Sequence, residues 1–228
     1  FLGKGIFSSL YVLLFMVSAV CTMLLVSFLL SKTLIKGESV PFILELPPYR
    51  KPQAGKIIVR SILDRTIFVL ARAVTVAIPA GAVIWLCQNI MVNGHTLLYG
   101  MAALLEPLGA LMGLSGVILM AFLLGIPANE IVIPILLMVY SQSGTLVEAE
   151  GIAQAGAILA ANGWTWVTAV CVILFSLNHF PCATTLLTIR KETGSLLWTG
   201  VSFLLPTVVG MLLCIAVHLL ALLVGIFF

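Results

Sequence analysis

Charge is what this sequence has least of. Only 8% of its residues are Asp, Glu, Lys or Arg, against roughly a quarter in soluble domains. Asp64 is the single aspartate, and Ser, His and Asp do not cluster, which makes a membrane-embedded hydrolase the least supported class. No Gly-x-x-x-x-Gly-Lys-Ser/Thr stretch occurs, so a phosphate loop of that type is excluded. The five cysteines, Cys21, Cys87, Cys171, Cys182 and Cys214, stand singly without a Cys-x-x-Cys pair, which argues against a disulfide framework or a structural zinc site. The net charge of +3 is not a nucleic-acid footprint, because its basic residues gather in one region, Lys32 to Arg72, as they do on the cytoplasmic side of membrane proteins.

What is abundant is apolar surface. Hydrophobic residues make up 62% of the 228, and the mean hydropathy is +1.25. At roughly 20 apolar residues per spanning helix, this length predicts an all-α polytopic membrane protein of about five or six transmembrane helices, some of them broken or re-entrant. Residues 1–30 hold the first span, whose apolar run is too long for a signal peptide. Residues 31–72 form a cytoplasmic linker, punctuated by Pro41, Pro47, Pro48 and Pro52, followed by an interfacial helix with Lys56, Arg60, Asp64 and Arg72 at helical spacing. Residues 73–228 form a helical bundle, including a kinked span over 73–90, a short helix over 101–112 interrupted by Glu106-Pro107, an external loop over 141–163 and a long final run from 196.

Two stretches carry chemistry. In Gly125 to Pro134, Asn129 and Glu130 lie between two prolines inside an apolar run. A bilayer tolerates neither without a reason, and Gly125 and Pro127 are placed to break a helix, so this stretch is expected to be a broken helix at a transport site. A protonated, hydrogen-bonded Glu130 without a substrate role is the alternative. The second is Asn178 to Thr185. If its helix continued to Cys182, Asn178 and Cys182 would share a face with His179 beside them. Glu130, Asn129, His179 and Cys182 offer oxygen, nitrogen and sulfur donors, a set that suits a divalent transition metal better than an anion or a sugar. Glu106 and His95 are weaker candidates, the first an end-of-helix carboxylate and the second a loop histidine.

These residues resemble the C-terminal membrane portion of the ferrous iron transport protein B family. The resemblance runs through Ser31-Lys32-Thr33-Leu34, Lys36-Gly37-Glu38, Phe42 to Arg50 with its Glu-Leu-Pro-Pro-Tyr-Arg segment, Gly125 to Pro134, and Pro181-Cys182 on to Ile189–Ser195. It implies a gate-type bundle that passes Fe²⁺, as transported substrate and not as a bound cofactor, across the bacterial inner membrane. It also implies Cys182 as the cysteine of a second gate region and Glu130 as an acidic position of the preceding gate helix. Asn129 departs from the commoner family wording, in which lysine stands there. The implied partners are Fe²⁺, the lipid bilayer, an N-terminal GTPase and first gate region of the same transporter, and further copies in a homo-oligomer. No enzymatic activity and no nucleic-acid binding are expected of this stretch, which is expected to be a fragment or a piece of a split transporter. The alternatives are a non-transporting scaffold or regulatory protein of the gate type and a nucleoside permease-like carrier.

Overall fold

The computed structural model describes residues 2–33, 53–92, 94–141 and 152–225. The proline-punctuated linker with its Glu-Leu-Pro-Pro-Tyr-Arg segment falls outside the described residues, as do Asn93, Glu148 and Glu150. The chain divides into two compact units, Phe1–Val69 and Leu70–Phe228.

In the first unit, α1 (Leu2–Thr33) is an uninterrupted helix of 32 residues. Its stretch Ser9–Thr33 is long and apolar enough to cross a membrane. Leu14, Met23 and Leu24 are all more than 60% exposed, which suits side chains whose solvent is hydrocarbon. Its hydroxyls turn inward to the backbone, Ser18 donating to the Phe15 carbonyl and Thr22 to that of Ser18. After the linker comes α2 (Ala54–Ser61), in which Lys56 and Arg60 share one face, followed by a π-helical turn, Ile62–Ile67. A helix forms over this part of the segment and continues through the π turn.

α3 (Phe68–Asn89), which belongs to the second unit from Leu70 on, carries Pro79 within an unbroken helix. The chain reverses through a two-residue ladder, β1 (Met91–Val92) against β2 (His95–Thr96), with Met91 opposite Thr96. Thr96 then caps α4 (Leu97–Leu111), accepting from the Tyr99 N–H at 3.3 Å. His95 stacks on Tyr99 at 5.2 Å between ring centroids, a local packing role. A turn at Gly113, with φ +69°, leads into α5 (Gly116–Leu124), and α4 and α5 meet at a bend of 112°. Glu106 secures this bend, because its carboxylate accepts from the Gly116 N–H at 2.6 Å. That bond satisfies one of the donors a helix N-terminus leaves open.

α5 is followed by a 3-10 turn (Asn129–Ile131) and by α6 (Val132–Ser141). The sequence predicts a broken helix here, and the structure folds the break into a hairpin. Trp164 fixes this geometry. Its indole N–H donates to the Tyr140 hydroxyl near the end of α6 at 3.2 Å, while the same residue lines a cavity of about 250 Å³ with Ser115, the residue just before α5. Two nine- or ten-residue helices laid end to end would hold those points roughly 35 Å apart at 1.5 Å per residue. Both bases of the hairpin therefore lie together and its tip, Gly125–Ile131, lies at the far end. Among the described residues the hairpin is the most buried part, with Ile135 and Leu136 at 0% exposure and Phe122 at 2%.

The residues expected to form an external loop over 141–163 include a helix, α7 (Ile152–Ala161). Alanine, frequent in this segment, has the highest intrinsic helix propensity, and it outweighs the glycines that suggest a loop. α8 (Trp166–Asn178) and α9 (Ala183–Thr193) flank the second break and together make a span of 28 residues, while α10 (Leu196–Val224) packs along both. Gly210 makes that packing close, since a Cβ there would lie 3.0 Å from the Asn178 carbonyl oxygen. Four described helices are long and apolar enough to cross a membrane, or five if the bent α4–α5 pair is counted as one span. The chain is an all-α, multi-pass membrane protein.

Gly116 and Gly100 provide a matched test of the α4–α5 bend. A Cβ at Gly116 would overlap the Ala102 carbonyl oxygen and come within 2.7 Å of the Glu106 nitrogen, whereas at Gly100 it would meet nothing within 4 Å. Gly116→Ala is expected to lower stability by about 1–3 kcal/mol. Gly100→Ala is expected to leave it unchanged or raise it. Thermal unfolding of the purified protein in detergent checks both.

Candidate functional site

Two backbone breaks build the site, and the hairpin tip supplies the first. Gly125 closes α5 by donating to the Ala121 carbonyl, and Ala128 donates to the Gly125 carbonyl in a tight turn. A Cβ at Gly125 would come 2.5 Å from the Val132 side chain, so the small residue lets the two arms approach. Pro127 has no N–H to donate, and the chain between the helices is left with carbonyls in need of donors.

The second break supplies one. α8 ends at Asn178, whose side-chain amide donates to the Leu174 carbonyl, and His179 leaves the helix with φ −85° and ψ −177°. The condition for Asn178 and Cys182 to share a face is not met, because the helix stops before Cys182. Cys182 instead begins α9 as its N-cap, with φ −60° and ψ 158°. The Ala183 N–H, one of the donors at the α9 N-terminus, reaches across to the Ile126 carbonyl at 2.8 Å. The two breaks are thereby joined backbone to backbone.

That junction places Pro127, Ala128, Asn129, Glu130, Cys182 and Thr184 on the wall of one cavity of about 480 Å³. Asn129 and Glu130 are exposed and Cys182 is half-buried, so carboxylate, amide and thiol all face an accessible space. The opposite wall is α3, through Ala73, Ala77, Ala80, Gly81 and Ile84. These recur every three or four residues, the spacing of one helical face, and their small size leaves the space open. That spacing is visible in the sequence, but its partner is not.

Of the four residues expected to bind metal, the structure brings Cys182, Glu130 and Asn129 to this cavity and sets His179 apart. The His179 ring packs among Phe122, Phe175 and Phe180, at centroid distances of 5.2, 5.7 and 4.9 Å. Its Nδ1 lies 2.9 Å from the Ser176 carbonyl and its Nε2 is buried without a hydrogen-bond partner. Since a carbonyl only accepts, Nδ1 carries the proton. Among the described residues no three His, Cys, Asp or Glu side chains converge as a preformed metal cluster. Glu106, bonded to Gly116, belongs to the α4–α5 bend. Sequence reasoning did not single out Thr184 and Thr185, whose hydroxyl oxygens each lie 3.1 Å from Cys182 Sγ.

Comparison with known proteins bears on both units. Residues 9–64 match the family model described as "Ferrous iron transport protein B C terminus", and residues 70–196 match the gate model described as "Nucleoside recognition". The chain belongs to the ferrous iron transport protein B (FeoB) family. Its relatives include the Fe(2+) transporter FeoB of Staphylococcus aureus strain MSSA476, 30% identical over 90% of this chain and 30% of that protein. The Fe(2+) transporter FeoB of Synechocystis sp. is 29% identical over 75% of this chain and 27% of that protein. A Fe(2+) transport protein A/Fe(2+) transporter FeoB fusion protein of Porphyromonas gingivalis is 25% identical over 79% and 27%. The chain thus spans less than a third of the length of these FeoB relatives. No solved structure matches it.

Thiol chemistry and backbone replacement each probe this arrangement. A charged, water-soluble methanethiosulfonate is expected to label Cys182, which lines the cavity, and to spare Cys171 and Cys214, both at 0% exposure. Peptide mass spectrometry reads the outcome, and Cys171 or Cys214 reacting ahead of Cys182 would contradict the geometry. Ala183 is the first residue of α9, a position that accepts proline. Ala183→Pro therefore removes the N–H that bonds Ile126 and leaves that carbonyl without its donor, with an expected loss of about 1–3 kcal/mol. The same thermal unfolding measurement detects it.

Proposed function

We propose that this chain forms part of the path by which Fe²⁺ crosses the bacterial inner membrane, as the C-terminal membrane portion of a longer transporter. The N-terminal part of that transporter would supply the GTPase and the first gate region. The observation that carries this reading is the joining of two helix breaks so that Glu130, Asn129 and Cys182 line one cavity. The names of the relatives, Fe(2+) transporters, support the choice of ion.

The chemistry follows from the donor types. A carboxylate and an amide offer hard oxygen, a thiol offers soft sulfur, and Fe²⁺ lies between hard and soft. A closed set of four protein ligands would hold the ion as a structural site does. A permeation path instead needs binding weak enough for release, and three protein groups on the wall of a 480 Å³ cavity leave room for retained water. Arg190 and Lys191 at the end of α9 assign that end to the cytoplasm by the positive-inside rule. The bases of the hairpin, beside the start of α8, then face outward, and the tip receives the ion partway across.

The description of the gate model, "Nucleoside recognition", raises the nucleoside permease alternative. A nucleobase calls for an aromatic platform, and the described residues lining this cavity include none. The ion is the better fit.

Anaerobic Fe²⁺ titration of the purified protein, with Cys182→Ser and Glu130→Ala in parallel, is expected to give saturable binding that both substitutions weaken. In the complete transporter, the double replacement is expected to reduce iron uptake at least tenfold, the equivalent of about 1.4 kcal/mol. Uptake unaffected by the double replacement would remove both residues from the path.

A further inference from the structure

Threonine hydroxyls on the helices of this chain usually turn back to the carbonyl four residues earlier. Thr188 bonds Thr184, Thr193 bonds Ile189, Thr199 bonds Ser195 and Thr207 bonds Phe203 in this way, at 2.6–2.9 Å. Thr184 and Thr185 have no such carbonyl within the helix, because four residues before them lie Phe180 and Pro181, ahead of the α9 start at Ala183. Both hydroxyls turn instead to a single sulfur, Cys182 Sγ, at 3.1 Å each.

The arrangement extends an ordinary helix cap. An N-cap side chain usually faces the backbone N–H groups two and three residues on, and the sulfur of Cys182, the N-cap of α9, is approached by the backbone of Thr184 and Thr185. The hydroxyls at those two positions reach back to it as well. Thr184 also lines the ion cavity, whereas Thr185 is exposed outside its lining, so the sulfur is gripped from the cavity side and from beyond it.

We propose that Thr184 and Thr185 are positioning residues for the ion path. They hold Cys182 Sγ at the cavity wall and donate hydrogen bonds to the sulfur when it binds the ion. This rests on the proposed role of Cys182 in Fe²⁺ passage. A hydrogen bond to a metal-bound sulfur draws electron density from it and weakens its donation, as outer-shell partners commonly tune first ligands. The consequence is specificity and exchange: a softened grip favours a borderline ion that must be released over thiophilic ions that an unmodified sulfur would retain.

Co²⁺ is the probe, since its sulfur-to-metal charge-transfer absorption reports the state of the ligand sulfur directly. The purified chain in lipid nanodiscs is titrated anaerobically with Co²⁺, alone and as Thr184→Val/Thr185→Val, which keeps the branched shape and removes both hydroxyls. Binding releases the thiol proton, so affinities are compared with that release counted, and the expected result is a charge-transfer band at lower energy and thiolate binding of Co²⁺ tighter by roughly threefold to tenfold. Thr184→Ser/Thr185→Ser is expected to restore both, and each single valine change to give part of the shift. An unchanged band and affinity in the double valine variant overturns the proposal, and so does a shift that serine fails to reverse. The reading beneath it fails differently. If Cys182→Ser retains the band of the unaltered protein, Cys182 is not the ion's sulfur ligand.

Discussion

One backbone hydrogen bond, from the Ala183 N–H to the Ile126 carbonyl at 2.8 Å, ties the site together. Inside a membrane every backbone group needs a partner within the protein, and each of the two breaks alone would leave groups without one. The hairpin tip has carbonyls to spare because Pro127 donates nothing, and the start of α9 has N–H groups to spare because helix beginnings always do. Each break thus supplies what the other lacks. Their polar side chains share a cavity because their backbones share a bond, and Cys182 immediately precedes the donor while Pro127 immediately follows the acceptor.

The bilayer also explains where this junction sits. The long helices α1 and α10 expose much of their apolar surface, with Met23 of α1 at 72% exposure and Leu223 of α10 at 84%. The hairpin arms, each too short to cross, have Ile135, Leu136, Met120 and Phe122 at 2% exposure or less. The first kind of element suits contact with lipid, and the hairpin is wrapped in protein. A polar tip is tolerable only on an element of the second kind, since irregular backbone at membrane depth must lie against protein or a water-filled space.

Much of this is legible in the residues. The composition establishes an all-α membrane protein, and the proline- and glycine-flanked polar residues mark both breaks, because a carboxylate in an apolar run is costly to keep unless it serves a purpose. What the residues do not express is direction. Gly125 and Pro127 say that a helix stops, and contacts made in the fold, such as Trp164 with Tyr140, reveal that the chain turns back. The same limit accounts for His179. Three positions separate it from Cys182, a neighbour in a continuous helix, but the helix ends at Asn178 and the imidazole turns into a nest of phenylalanines. Residues 141–163 read as loop for a different reason, since small residues signal turns through glycine and helices through alanine, and the stretch 152–161 inside it holds five alanines against the single Gly156.

The wall of small residues on α3 completes the physical logic. Ala73, Ala77, Ala80 and Gly81 contribute no hydrogen-bonding side chain to the cavity, so among the described residues its polar side chains all lie on the opposite wall. An ion bound there, as proposed, would be held from one side and keep water on the other, and each protein ligand could then replace or yield to a water singly without the full cost of dehydration being met at once. A symmetric cage would bind more tightly and release more slowly. The proposed one-sided coordination from a hairpin tip and a helix N-terminus, facing an inert wall, would favour passage over storage.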